Sequence, residues 1–321
     1  MLVCTDSREL AARLLAEKPT RWETSAGLPS EITTLAERLF GNRPVSVART
    51  PNQSWSHLFA VETAPESQYD ALIDLSRQGV ALPDRLLCFA ATGEHFHGFR
   101  DRPWSATAGN IHLSARWAPP GSGGDATIGL LALAAVSVID AIDAIPGLES
   151  RAGIKWVNDI LIEGAKVCGI LAHTEAVSDC VTTGIVGIGL NVEATPDVEA
   201  TPFVPRVASL QDFHPVPGGC DRDTVFRALH GALARNHSRL IDGGHEVLLD
   251  RYRERSIVLG HQVAVCKEES GAEPDIVARG RVLGLGRRLE LLLEGAGEPI
   301  TKGRLILDPS SRQPWSDSRP I

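Results

Sequence analysis

The sequence predicts an α+β fold: a mixed β-sheet packed against helices, with a small β-barrel at the C-terminal end. Three observations carry that expectation. From about residue 54 to 191, strand-like apolar runs alternate with segments of helical periodicity. ATIGLLALAAVSVIDAIDAI (126–145) is long enough, and rich enough in Ala and Leu, for a central buried helix. After Gly260 the chain breaks into short β segments with glycine-containing turns, the pattern of a small barrel of about 50 residues.

In chain order, SRELAARLLAE (7–17) and SEITTLAERLF (30–40) are helical, each starting at a Ser cap. NRPVSVART and HLFAVET read as short extended segments. SQYDALIDLSRQG is a helix, RLLCFAAT a buried strand, and GNIHLSARWAP a strand with alternating faces. The 126–145 helix comes next. KWVNDILIEG, AKVCGILAHTEA and CVTTGIVGIGLNV are three strand-like pieces, with EGAK as a hairpin signal between the first two. TPDVEATPFVP is Pro-rich and reads as a loop. DRDTVFRALHGALARNHSRLI and HEVLLDRYRERS are amphipathic helices, and HQVAVCK, DIVARGRVLGLG, RRLELLLEG and KGRLIL supply the barrel. The chain thus divides into an N-terminal segment of unassigned role without an evident winged helix (1–53), a main domain (54–255), the small β domain (256–308) and a tail (309–321).

At 321 residues, with 43% hydrophobic and 22% charged content, the chain can bury a sizeable core. A formal net charge of −8 argues against a general nucleic-acid binder, and the first 50 residues contain no basic recognition helix for DNA. The six cysteines are scattered without a C-x-x-C pair, as expected of small buried hydrophobes in a reducing compartment. No signal peptide is evident, and the longest apolar run acquires aspartates before it could span a bilayer. A cytoplasmic protein that does not enter membranes is the expectation; oligomeric state, a homodimer included, stays open.

Three stretches carry candidate chemistry. In IKWVNDILIEGAKVCGILA, Lys155, Asn158 and Asp159 interrupt a core-like run, and an unpaired buried polar group costs about 1–3 kcal/mol. A lysine there suits a carboxylate or phosphate as a compact point charge, and Asp159 suits an ammonium partner or a metal. A plain Lys–Asp pair at a strand end, with Asn158 in a turn, would also explain them. In VGIGLNV, Gly187 and Gly189 allow a backbone or a flat ligand to approach closely, and Asn191 adds an amide. Close packing uses the same glycines, and neither a third glycine nor a following helix completes a dinucleotide fingerprint. In GEHFHGFRDRPWSATAGNIHLS, His95-x-His97 has metal-ligand spacing without a third ligand nearby. Arg100 and Arg102 near Trp104 suit a loop closing over phosphate and stacking on a ring, and they equally suit a solvated basic loop.

Taken together, IKWVNDILIEGAKVCGILAHTE and GIVGIGLNV closely resemble the catalytic core of the biotin protein ligases. In that family a Lys-Trp-(Pro or Val)-Asn-Asp strand leads into Gly-Lys-Lys-x-x-Gly-Ile-Leu, and Gly-x-Gly-x-Asn follows. RPWSATAGNIHLS is similar to the family's Arg-x-Trp-x-Ser-x-x-Gly-Asn-Leu segment, which brings in Asn110. GRVLGLGRRLELLLEGAGEPITKGRL looks like the family's SH3-like end domain, and the resemblance spans residues 58–307. It implies a two-step ligase using ATP, Mg²⁺ and biotin. Biotin's carboxylate attacks the α-phosphate of ATP, giving biotinyl-adenylate and pyrophosphate; a lysine of a carboxylase carrier domain then attacks the mixed anhydride. The resemblance implies that Lys155 neutralises the developing charge and that Mg²⁺ bridges phosphates with no dedicated protein site. It implies further that Gly169, Ile170, Gly187, Gly189, Asn158, Asp159 and Asn191 surround the adenylate. His97, Gly98, Arg100, Arg102 and Trp104 would belong to a loop that orders over it.

The sequence departs from the family at that loop. Against the pattern Gly-Arg-Gly-Arg-x-Gly-Arg-x-Trp it has FHGFRDRPW: His97 and Phe99 stand for arginines and Asp101 for a glycine, while Gly98, Arg102 and Trp104 fit. Gly93-Glu94 replaces the Gln-Thr before it, and Glu66 and Ser67 stand in for the Thr and Asn of Asp-Ser-Thr-Asn. Two bidentate phosphate donors are lost and negative charge is added. A lipoate- or octanoate-type acyl ligase or transferase, and a ligand-binding member of the fold without catalysis, therefore stay open beside the biotin ligase.

Overall fold

The structure, a computed structural model, describes residues 1–19, 21–24, 28–118, 126–178, 180–269 and 273–307; the tail at 309–321 lies outside them. Ten strands form one mixed sheet: β1 (Leu2–Thr5), β2 (Glu23–Thr24), β3 (Ser46–Arg49), β4 (His57–Ala64), β5 (Leu86–Gly93), β6 (Ile111–Trp117), β7 (Ala152–Lys155), β8 (Asp159–Ile162), β9 (Ala165–Val177) and β10 (Cys180–Leu190). Their order is β2-β3-β1-β4-β5-β6-β10-β9-β8-β7. β4 runs parallel to β1 and β5, whereas the hairpin-linked strands are antiparallel.

Side chains of one strand alternate between two cores, as the two-residue repeat requires. From β5, Leu87 and Phe89 enter one core, while Leu86, Cys88 and Ala90 enter the other. The first core is covered by α1 (Arg8–Leu14), α4 (Ala126–Asp143), α5 (Arg222–Ile241) and α6 (His245–Glu254). α4 is apolar around its circumference because β7, β9 and β10 lie on one side and α5 and α6 on the other. Among the described residues it alone is long and apolar enough to cross a membrane, and 72% of it is buried inside the protein. The opposite face is covered by α2 (Ser30–Phe40) and α3 (Gln68–Arg77), which reach only as far as β6 and β10. Past α3, the face over β8 and β9 is left for the site.

A second, four-stranded antiparallel sheet contains β11 (Gln262–Cys266), β12 (Ile276–Leu285), β13 (Leu291–Leu293) and β14 (Arg304–Leu307), in the order β13-β12-β11-β14. It agrees with the SH3-like end expected from the resemblance. Trp156 fastens it to the main sheet, donating its indole N–H to the Leu289 carbonyl at 2.6 Å.

Three readings change. KWVNDILI is not one strand: β7 ends at Lys155, residues 156–158 turn, and β8 begins at Asp159, with Lys155 and Asp159 paired across the ladder. Residues 2–5 form a strand although four residues carry too little periodicity to announce one. The division at residue 53 is also invisible in the sheet, since β1 bonds to β4 along four residue pairs and β3 bonds to β1. EGAK is the two-residue hairpin expected, with Glu163 at φ 50° and Gly164 at φ 80°, as a turn matched to strand twist needs. Five cysteines are buried and Cys180 is exposed.

Candidate active site

The open half of the sheet face is the floor of a cavity of about 760 Å³. Its floor comes from β6, β10, β9 and the β7–β8 turn, its roof from loop 96–105, and its far wall from residues 196–207 and the C-terminal sheet. Small residues make the floor flat. The indole of Trp104 lies on Gly189 and Gly169: a methyl built on Gly169 would stand 3.2 Å from its ring, and one on Gly189 would overlap it. A methyl on Gly187 would press on Tyr69 at 3.1 Å.

Lys155 stands at the end of β7, 5% exposed, with its ammonium donating to the Phe203 carbonyl. Burial is the main reason its pKa falls to about 8; Asp159 opposes the fall, and Lys166, Arg304 and Arg102 reinforce it. Four cations therefore converge on one end of the cavity, where Asp159 and, beside Arg102, Glu268 are the acids that act on them. Asp159 is already paired with Lys166 at 2.7 Å. Arg304, stacked 3.5 Å above the Phe203 ring, is lowered to about 10, first by burial and then by Arg102. Arg102 is likewise lowered by burial, with its Nε donating to the Phe99 carbonyl at 2.8 Å.

The roof is a small hairpin. Gly98 N–H donates to the Arg102 carbonyl at 2.7 Å, Trp104 N–H to the Phe96 carbonyl at 3.0 Å, and His97 bridges to Pro103. His97 is not set up as half of a metal pair with His95. Its Nε2 meets Asp70 Oδ2 at 2.7 Å and its Nδ1 the Gly98 carbonyl at 2.9 Å, while His95 is exposed and nearest Glu94. Burial lowers the His97 pKa, but the bonds to Gly98 and Asp70 outweigh it and raise the net value. Under the roof, buried His112 accepts from Trp104 Nε1 at 3.3 Å through Nδ1, and its Nε2 faces the Thr107 carbonyl. Burial pushes His112 down to about 4, so the ring is neutral, with the proton on Nε2.

Of the residues singled out in the sequence, Ser67, His97, Gly98, Arg102, Trp104, Lys155, Asn158, Asp159, Gly169, Ile170, Gly187, Gly189 and Asn191 line this cavity. Asn158 also pins the turn: its amide donates to the Ile170 carbonyl at 2.8 Å, and Ile170 N–H returns a bond to its backbone. Asn191 donates to the Ala208 carbonyl at 3.1 Å, and its buried Oδ1 has no partner among the described residues. Ser67 caps α3, accepting from Asp70 N–H.

Glu66, Arg100 and Asn110 do not line it. Glu66 is turned to Arg38, which grips it at 2.5 and 3.0 Å. Arg100 is paired instead with Glu268, itself a lining residue, and with Glu269. Asn110 is fully buried beneath the loop after β10, accepting from Val192 and Ala194 N–H and donating to the Ala194 carbonyl. Asn110→Ala is expected to cost about 2–4 kcal/mol by orphaning those buried amide groups, read as a lower urea midpoint with an unchanged slope. Sequence reasoning missed Lys166, His112, Arg304 and Phe203. Lys166 was visible in EGAKVCGIL as a lysine preceding the glycine, whereas Arg304 and Phe203 reach the site only through the tertiary fold.

Residues 81–191 match the family model described as the biotin/lipoate A/B protein ligase family. A biotin–[acetyl-CoA-carboxylase] ligase of Paracoccus denitrificans is 31% identical over 169 residues, covering 52% of this chain and 68% of that protein. A second such ligase, from Mycobacterium tuberculosis, is 32% identical over 164 residues, covering 50% of this chain and 54% of that one. In three dimensions the chain is similar to a biotin protein ligase of Aquifex aeolicus in complex with biotin and ATP: TM-score 0.60, 20% identity, 79% of this chain and 99% of that one.

Proposed function

The chain belongs to the biotin protein ligase family, and from that premise we propose that it joins biotin to a lysine of a carboxylase carrier domain through biotinyl-adenylate. One observation carries the reading: Lys155, Lys166, Arg102 and Arg304 converge on one end of a cavity that Gly169, Gly187 and Gly189 also line. A carboxylate meeting an α-phosphate brings negative charge that such a cluster of cations favours. In the first step a biotin carboxylate oxygen forms the new bond to the α-phosphorus, and the bond to the β,γ-pyrophosphate breaks. Lys155 stabilises the charge shared between attacking oxygen and phosphorus, the more so because burial keeps water from screening it. In the second step the neutral amine of the acceptor lysine attacks the acyl carbon; AMP leaves with the bonding pair and the amine gives up a proton.

Mg²⁺ belongs to this reading as part of the nucleotide complex. Among the described residues no three His, Cys, Asp or Glu side chains converge, and Asp159 is already held by Lys166. The residues present therefore fit a metal carried on phosphate oxygens, where it would neutralise charge. The roof residues Arg102 and Trp104 would cover the adenylate and limit its hydrolysis.

The test compares acids. Pyrophosphate release is measured with ATP, Mg²⁺ and biotin, lipoate or octanoate in turn. Biotin-dependent release supports the proposal. Release driven by lipoate or octanoate alone would move the assignment to the other acyl branch, and none with any acid, from folded protein, would leave a binding protein.

A pH dependence follows from Lys155. The group acts as a cation and its pKa is about 8, so kcat/KM for biotin should fall about tenfold per pH unit above that value. Lys155→Arg, whatever its rate, should lack that limb because a guanidinium stays charged. A wild-type profile flat to pH 9.5 would contradict the role.

A further inference from the structure

We propose that Arg100, Glu268 and Glu269 are positioning residues: an ion-pair latch between the roof loop and the C-terminal sheet that holds Arg102 and Trp104 over the cavity before any ligand binds. The guanidinium of Arg100 pairs with Glu268 through one nitrogen and with Glu269, at 3.1 Å, through another. Both carboxylates follow the end of β11, 168 and 169 residues away in sequence. Glu268 is 14% exposed and itself lines the cavity, so Arg100 neutralises an acid that faces the anion site.

The backbone of the loop needs such support. Arg100 and Asp101 have φ of 57° and 55°, two successive non-glycine residues in the left-handed region. That conformation is costly for L-residues and persists only where surrounding contacts over-determine it. Within the loop the holders include the Gly98–Arg102, Trp104–Phe96 and Arg102–Phe99 hydrogen bonds. Outward, the loop bonds from His97 to Asp70 on α3, from Trp104 to His112 on β6, and from Arg100 to the carboxylates that follow β11. The geometry divides two neighbouring arginines between two tasks, with Arg102 aimed into the cavity and Arg100 anchored outside it. With His97 and Phe99 where the family pattern has arginines, a bound phosphate offers the loop fewer grips, and the protein supplies the order itself.

The functional consequence rests on the ligase reading: a latched roof retains the adenylate. Four full-length proteins test both parts: wild type, Arg100→Glu, Glu268→Gln/Glu269→Gln, and the charge swap Arg100→Glu/Glu268→Arg/Glu269→Arg. In the ligand-free state, amide hydrogen exchange over residues 93–105 should quicken about tenfold in the two loss variants and return toward wild type in the swap. Preformed biotinyl-adenylate should dissociate about tenfold faster from the loss variants, with a smaller change in the rate of its synthesis. Wild-type exchange in either loss variant, or a swap no slower than Arg100→Glu, would overturn the latch. A wild-type protein that makes no adenylate would instead overturn the ligase reading, and the exchange data would still decide the latch.

Discussion

Lys155→Met is expected to lower biotin-dependent pyrophosphate release by at least about 100-fold, while the melting temperature stays within about 4 °C of wild type. The two halves have separate causes. The cation is placed to meet the carboxylate and α-phosphate, and Met keeps its bulk but brings no charge. Stability responds weakly because two terms oppose. In the folded state the Lys155 pKa lies below the ordinary 10.5, at about 8, so charging it is disfavoured. That penalty is full below pH 8, on the order of 3 kcal/mol from the shift, and stability rises with pH between 8 and 10.5 as the unfolded chain binds the extra proton. Met removes the penalty but leaves the Phe203 carbonyl without its donor, a loss of about 1–3 kcal/mol. A fall in stability of several kcal/mol, with activity reduced only in proportion to unfolded protein, would make Lys155 a structural residue.

Gly189→Val should reduce kcat/KM about 100-fold, the scale of an ångström-sized misplacement in an active site. Val186, Ile188 and Leu190 of the same strand face the core under α4, and Gly189 faces the cavity, so added bulk leaves the core untouched. Valine also suits a strand. The cost falls on Trp104, whose indole occupies the space a Cβ would need. Displacing it should also change tryptophan fluorescence. A variant with wild-type kinetics would show that Trp104 is not seated on this floor during turnover.

Much of this was legible in the sequence for identifiable reasons. The short continuous apolar run in RLLCFAAT marks a strand buried between two cores, and the longer apolar run of 126–145 marks a helix covered on all sides. Polar residues inside an apolar stretch gave Lys155 and Asp159, because such residues need local compensation or a ligand, and glycines alternating in a strand gave Gly187 and Gly189. What stayed hidden depends on long-range placement. Phe203 lies in a Pro-rich loop and meets Lys155 only because residues 196–207 fold back over the sheet. Asn110 shares a motif with Trp104, yet one is buried under a loop and the other faces the cavity, a difference of side-chain direction that spacing does not encode. Arg100 and Arg102 look equivalent in FRDRPW, yet Arg102 lines the cavity while Arg100 pairs with Glu268 and Glu269, for the same reason.

The central claim is that the cation cluster around Lys155 makes an acyl-adenylate from biotin. Its most direct test is a single-turnover reaction of excess protein with α-labelled ATP, Mg²⁺ and biotin, resolved for biotinyl-adenylate. Accumulation of biotinyl-adenylate, absent without biotin and absent in Lys155→Met, is the predicted result. Biotin-adenylate formation in Lys155→Met at the wild-type rate, or none in the folded wild-type protein, would contradict it.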